Sequence, residues 1–386
     1  MAKLTLAHLK DLQGRLVLCR VDYNVPLDGE HVVDDTRIVA TLPTLHTLMR
    51  KQARIVLCSH LGRPKGKPDA RFSLRPVAER LKELLDGHSV GFCPHTVGGE
   101  AEEMAARLEP GNLLLLENLR FQPGEEANDD GFARQLARLG EVYVNDAFGV
   151  AHRAHASTVG VVKYFPQAAA GLLMERELEY LGKILEAREH PFVVLLGGAK
   201  VSDKLPFLSH LARRADRLLI GGGMAYTFLQ AQGQPIGDSL VQLDQVEAVG
   251  KLLAQKPGQF VLPVDHVLED GAVVTTIPAH GKAMDIGPRT RELFARHIAP
   301  ARILFWNGPM GVFERPPLDA GTLAVARAVA ASEAVSVVGG GDSVAAVNVA
   351  GVADRITHVS TGGGAALEMV EGKTLPGVAA LEGAAV

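Results

Sequence analysis

Two kinds of chemistry are written into this chain, in separate halves. In the first half the reactive residues are arginines accompanied by acids, amides and histidines. Asp22 and Asn24 lie in VDYNVP, Arg37 follows, and His60 and Arg63 lie in SHLGRP. Arg120 lies in ENLRF and Arg153 in AHRAH. These four arginines supply planar, permanently charged forks that suit phosphate and carboxylate. Each charge-assisted hydrogen bond contributes roughly 1.5–3 kcal/mol, so two or three together offset the desolvation of a small anion. Asp22 would orient these guanidinium groups or accept from a substrate hydroxyl, and Asn24 could do the latter. Taken singly, each has a plainer reading: a lone arginine is mostly solvated surface and a lone histidine mostly structural. His152 and His155 are read as structural, and Arg71 and Arg75 as surface residues of a polar connection.

The second half is built on glycine. GGAKVSDK (197–204) turns from an apolar run into a helical pattern and sets Lys200 and Lys204 on one helical face. GGGMAYTF (221–228), GGGDS (339–343) and STGGGAAL (360–367) repeat the arrangement. Glycines there let backbone N–H groups approach a phosphate at a helix start, although any one triplet alone would be explained by close helix–sheet packing. The common nucleotide fingerprints are absent. GxGxxG fails at Tyr226, Val344 and Leu367, and the terminal GKT (372–374) lacks the first glycine of a P-loop, where Leu367 stands. What remains is a phosphate donor held by helix N-termini, lysines and an aspartate able to take Mg²⁺.

The elements that must position these residues recur along the whole chain. RLVLCR, RIVLC, LLLL and EVYV in the first half, and FVVLL, RLLI, FVLPV, RILFW and VSVV in the second, are short continuous apolar runs separated by helical patterns. Such runs predict buried parallel strands. The signatures follow the runs directly, at the carboxyl edge where open parallel sheets bind ligands. Between the halves, GLLMERELEYLGKILEARE (171–189) carries Met174, Leu178, Leu181 and Leu185 at helical spacing. The expected architecture is α/β: two doubly wound, Rossmann-like parallel-sheet domains, 1–170 and 190–372, joined by helix 171–189, with a cleft between them.

At 386 residues the chain is long for one core, which fits two domains. A net charge of −4 excludes the broad basic surface of a nucleic-acid binder while leaving room for a local basic pocket. Of the three cysteines, Cys19 and Cys58 sit in apolar runs and are expected as buried, reduced thiols. The start MAKLTLAHLK has no apolar signal core, and no stretch approaches ~20 apolar residues. A cytoplasmic monomer with no membrane or nucleic-acid partner is the expectation.

RVDYNVP, SHLGRP, ENLRF, AHRAH, GGAKVSDK, GGGMAYTF, WNGPMGVFE, GGGDS and STGGGA, in this order, closely resemble the motifs of the phosphoglycerate kinase family and cover the chain almost end to end. The resemblance implies reversible, Mg²⁺-dependent phosphoryl transfer between ATP and the carboxylate of 3-phosphoglycerate. It implies that Asp22, Tyr23, Asn24, Arg37, His60, Arg63, Arg120 and Arg153 hold the triose. Lys200 and Lys204 would meet the nucleotide phosphates, with Gly221 and Gly222 beside the adenine, Asn307 near the phosphates and Glu314 on the ribose. Gly340, Gly341, Asp342 and Ser343 complete the nucleotide site, with Asp342 the metal ligand. Arg37, Lys200, Lys204 and the backbone at Gly363 and Gly364 would act on the moving phosphoryl group. The tail, 373–386, would rejoin the first domain. The alternatives are a two-lobed binding protein for one small anion, or an α/β kinase acting on a different carboxylate.

Overall fold

The computed structural model describes residues 4–382, so only 373–382 of the expected tail is described. The chain forms two units, one running to Leu178 and resuming at Thr374, the other Glu179–Lys373.

The first unit is built on six parallel strands: β1 (Leu16–Arg20), β2 (Arg54–Cys58), β3 (Val90–Cys93), β4 (Leu113–Leu116), β5 (Val142–Asn145) and β6 (Ala168–Ala170). They lie in the order β3-β4-β2-β1-β5-β6. Central β1 pairs Val17 with Ile55 on one side and Val142 on the other. Its side chains are buried from Val17 on, which is why the run shows no polar alternation. Helix α1 (Thr36–Arg50) buries Ile38, Leu45, Leu48 and Met49 in the core that also holds Val17, Cys19 and Tyr23. Its start is fixed by Asp34, which accepts from the Thr36 N–H at 2.9 Å, and this places Arg37 in the first turn. The helix Pro376–Glu382 belongs to this unit, where the Gly377 N–H donates to the Ala151 carbonyl at 2.8 Å.

Each of the nine apolar runs contains a strand, but β3 and β6 were not anticipated. Ala168–Ala170 has no β-branched or aromatic residue and is a strand only because Tyr143, Val144 and Asn145 pair with it. FVLPV gives strand only at Phe260–Val261, ahead of Pro263, which has no N–H for a ladder.

Helix α2 (Leu172–Glu186) fills most of the expected 171–189. Its buried line differs from the one the apolar residues suggested. Met174, Glu177, Leu181 and Ile184 are fully buried, whereas Leu178 and Leu185 are half-buried. A stripe drawn through apolar residues alone overlooks a buried carboxylate. The helix start is held by Asp146 at the end of β5, whose Oδ1 accepts the Met174 N–H at 3.1 Å. Burial pushes the Asp146 carboxyl up to about 6 from its ordinary 3.8. A native pKa above the unfolded one means the folded state binds the proton more tightly. The associated stability is therefore complete below the ordinary carboxylate value and lost as pH rises through about 6. In denaturant titrations between pH 4 and 7, Asp146→Asn should flatten this part of the decline; an unchanged slope would assign it elsewhere.

The second unit has strands β7 (Phe192–Leu196), β8 (Arg217–Ile220) and β9 (Phe260–Val261), then β10 (His266–Leu268), β11 (Val273–Val274) and β12 (Ala283–Ile286), and finally β13 (Ile303–Asn307), β14 (Val335–Gly339) and β15 (His358–Val359). Six form a parallel sheet in the order β9-β8-β7-β13-β14-β15. The strand order reverses between β7 and β13, and a crevice opens at that switch point, beyond the carboxyl ends. The other three make a small antiparallel sheet whose strands of two to four residues left no readable pattern. The core gathers around Trp306, Phe294 and Leu304. Helices α3 (Leu205–Leu211), α4 (Gly341–Val349) and α5 (Gly364–Val370) start close behind the glycine-rich turns.

Candidate active site

In the first unit, Asp22 and Asn24 leave β1 toward a polar basin. Asp22 Oδ2 accepts from Arg37 Nη1 at 2.9 Å, and its Oδ1 lies 3.7 Å from His60 Nδ1. Asn24 Oδ1 accepts the Gly62 N–H at 2.8 Å, and the Gly62 carbonyl accepts from Arg120 Nη1 at 2.7 Å. Asp22, Asn24, Arg37, His60 and Arg120 are thus brought together, directly or through Gly62. Arg153 is half-buried, with its Nε donating to His152 Nε2 at 3.2 Å, and its charge reaches Arg120. Arg63 is exposed on the Gly62 loop and makes no hydrogen bond or ion pair among the described residues. Tyr23 departs from expectation. Its ring is fully buried in the core and its hydroxyl meets Thr41 Oγ1 at 2.9 Å, so it offers the basin no side chain.

Beneath the basin lies Arg20, which the sequence reading passed over as the end of a strand. It is fully buried, and its Nη2 stands 3.2 Å from His60 Nδ1. A guanidinium can only donate, so His60 Nδ1 accepts and the ring proton sits on Nε2. Burial, followed by the charges of Arg20, Arg120 and Arg37, holds the His60 pKa well below its ordinary 6.5. His60 is therefore a neutral donor amid cations. Arg20 in turn donates to Ser157 Oγ at 2.9 Å, and Ser157 donates to the fully buried Glu125 at 2.6 Å.

In the second unit, a cavity of about 300 Å³ occupies the switch point, lined by Gly198, Lys200, Lys204, Asn307, Gly340 and Asp342 among others. Lys204 Nζ donates to the Gly197 carbonyl at 2.5 Å and the Asn307 carbonyl at 3.3 Å. Burial pulls its pKa down to about 8, opposed by the charges of Asp342 and Asp203. Asn307 is anchored by donation from Nδ2 to the Gly339 carbonyl at 2.8 Å, and Trp306 Nε1 donates to the Gly308 carbonyl at 2.8 Å. Two lysines, Lys200 and Lys204, N–H-rich turns and the exposed carboxylates of Asp203 and Asp342 in a crevice of this size form a cradle for polyphosphate.

The family model described as phosphoglycerate kinase matches residues 6–373. The chain belongs to the phosphoglycerate kinase family. It is similar to the phosphoglycerate kinases of Acidobacterium capsulatum (56% identity) and Koribacter versatilis (55%), covering 99% of both chains in each pair. Among solved structures it resembles phosphoglycerate kinase from Coxiella burnetii, with a TM-score of 0.88 at 38% identity and 99% coverage of both chains. The Pyrococcus horikoshii enzyme gives 0.87 at 34%, again over 99% of each. As a phosphoglycerate kinase family member the chain is an ATP-using, phosphoryl-transferring enzyme of glycolysis. No helix among the described residues is long and apolar enough to cross a membrane.

Several residues that the family resemblance placed on the nucleotide lie outside the lining of this cradle. Ser343 is fully buried and its hydroxyl accepts the Gly308 N–H at 2.6 Å, so it fastens the loop beneath the cradle. Gly221 and Gly222 are buried below the turn; a Cβ on Gly222 would come within 2.5 Å of the Gly198 nitrogen. Glu314 is exposed and, like Gly363 and Gly364 at the start of α5, is not among the residues lining the cradle.

Two predictions arise here. Gly308 has φ +94°, and a Cβ there would stand 2.6 Å from Lys204 Nζ and collide with the Gly197 carbonyl. Gly308→Ala should lower stability by about 1–3 kcal/mol, seen as a reduced Tm, because a non-glycine residue is strained at such φ. The second concerns pH. With Lys204 titrating near 8 in the free enzyme, kcat/KM for the nucleotide should fall from about pH 8 upward, well below the ordinary lysine value of 10.5. Lys204→Arg should remove that limb; a profile flat to pH 9.5 in the parent protein would contradict the assignment.

Proposed function

We propose that this phosphoglycerate kinase family member transfers the γ-phosphoryl group of ATP to the carboxylate of 3-phosphoglycerate, reversibly, giving ADP and an acyl phosphate. The observation that carries the triose reading is the set of three arginines, Arg20, Arg37 and Arg120, around a neutral His60. Such a site favours a small polyanion electrostatically while offering one uncharged donor. Arg63 and Arg153 add forks from its sides.

The acceptor carboxylate has a reference pKa near 4 and is already ionised at neutral pH, so no general base is required. The barrier lies in bringing an anion to a polyanionic phosphoryl group. Catalysis is then positioning and charge neutralisation during in-line transfer. Arg37, held in orientation by Asp22, takes the carboxylate and the moving phosphoryl group. Lys204 takes phosphoryl oxygens, and Lys200 and Asn307 the neighbouring phosphates. Backbone N–H groups at Gly363, Gly364, Gly340 and Gly341 donate from helix starts. Gly221 and Gly222 border the adenine, and Glu314 meets the ribose. Asp342 is one exposed carboxylate on the cradle, and no group of three or more His, Cys, Asp or Glu among the described residues is placed to hold a metal alone. That donor set fits a largely hydrated Mg²⁺ shared with the nucleotide. When bound, the ion neutralises charge on the donor phosphates.

A coupled assay tests the reading. ADP should appear from ATP only when 3-phosphoglycerate is present and stop on addition of a chelator. ADP release indifferent to the triose would reject it. The protein is further proposed to act in the cytoplasm as a monomer without nucleic acid, consistent with its charge of −4. Light scattering should return a mass near 41.1 kDa.

A further inference from the structure

A second hollow in the first unit shares no residue with the basin around His60. It has a volume of about 440 Å³ and lies beyond the carboxyl ends of β3 and β4, with Arg75, Phe92, Pro94, Thr96, Glu117 and Phe121 in its wall. This size suits a ring-bearing small molecule.

The charges in the wall are unequally committed. Glu117 accepts from Ser73 Oγ at 2.7 Å and from the backbone N–H groups of Leu74 and Asn118, each at 2.8 Å. Asp69, also in the wall, is engaged by Arg71 at 2.7 Å. Arg75, by contrast, has no carboxylate partner among the described residues. Its guanidinium lies over the Phe92 ring, 4.6 Å from the centroid, which leaves its N–H edges free for an anion. Thr96 is only 3% exposed, yet its hydroxyl has no hydrogen-bond partner among the described residues. A buried hydroxyl without a partner destabilises the fold, and a ligand atom bonded to it would offset that.

We infer that this hollow binds an aromatic carboxylate. The ring lies against Phe92 and Phe121, the carboxylate takes the free edge of Arg75, and a ligand polar atom meets Thr96. A single guanidinium matches a single negative charge, and the carboxylates of Glu117 and Asp69 nearby disfavour a dianion.

The test is isothermal titration of the whole protein with 2-naphthoate. Saturable one-site binding is expected, unchanged by saturating ADP plus 3-phosphoglycerate. Arg75 is exposed, so Arg75→Gln should fold and keep its kinase rate while weakening 2-naphthoate at least about tenfold, the scale of one lost charge-assisted bond. Phe92→Ala should weaken it too. Absence of saturable binding, full affinity in Arg75→Gln, or displacement by the substrates would overturn the inference. The Arg75→Gln result decides even if Phe92→Ala is unstable.

Discussion

Lys204→Ala should lower kcat by about 10²- to 10³-fold, equivalent to roughly 2.7–4 kcal/mol of transition-state stabilisation, the loss seen when one preorganised donor is removed. The same substitution should leave Tm unchanged or raise it. The ammonium is largely desolvated and its pKa is drawn down to about 8, so the fold itself penalises the charge. Of its hydrogen-bond partners, the carbonyls of Gly197 and Asn307, the latter keeps the Gly197 N–H at 3.0 Å. A lysine kept for architecture would behave oppositely, with stability falling and the remaining folded enzyme turning over normally. Measuring Tm and kcat on the same preparation separates the two.

Arg37→Ala is expected to reduce kcat on the order of 100-fold or more, while the KM for 3-phosphoglycerate changes by less than about tenfold. The distinction follows from the basin. Arg120, Arg63 and Arg153 remain to hold the triose, whereas Arg37 is the arginine paired with Asp22 at 2.9 Å and so held in a fixed direction. Removing it also strands Asp22, which is 7% exposed and would lose its guanidinium partner. Arg37→Lys controls for that: it returns a charge to Asp22 but lacks the two-pronged geometry. Its turnover should stay low although its stability recovers. A variant that loses triose affinity and keeps kcat would make Arg37 a binding residue only.

The alternation of strand residues explains which parts of the site could be read from sequence. Continuing β1 past its end puts Asp22 and Asn24 on one side and Tyr23 on the other, the arrangement found. The same alternation sends the Tyr23 ring to the core. Arg20 was hidden for a different reason. As the last residue of an apolar strand it reads as a solvated terminus, and only the packing of Ser157 and His60 around it reveals a buried charge. Ser343 and Asp342 are neighbours in one motif, yet the first helical turn directs one inward to Gly308 and leaves the other exposed. The two parallel sheets were legible because buried strands are continuous apolar runs. The antiparallel sheet was not, since strands as short as Val273–Val274 depend on partners rather than on their own composition. Glycine motifs were the most ambiguous. At Gly222 and Gly308 the same residue type serves backbone contact and loop geometry, which spacing alone cannot divide between packing and ligand.

The claim on which the mechanism rests is that the triose carboxylate itself attacks phosphorus. It can be tested with 3-phosphoglycerate carrying ¹⁸O in both carboxylate oxygens, with ATP, Mg²⁺ and a reductase that draws off the acyl phosphate by attack at its carbonyl carbon. Attack by the carboxylate predicts one ¹⁸O in each inorganic phosphate released, visible as an isotope shift in its ³¹P resonance. Phosphate that forms without label would show that the oxygen joined to phosphorus came from elsewhere, and the mechanism would be wrong.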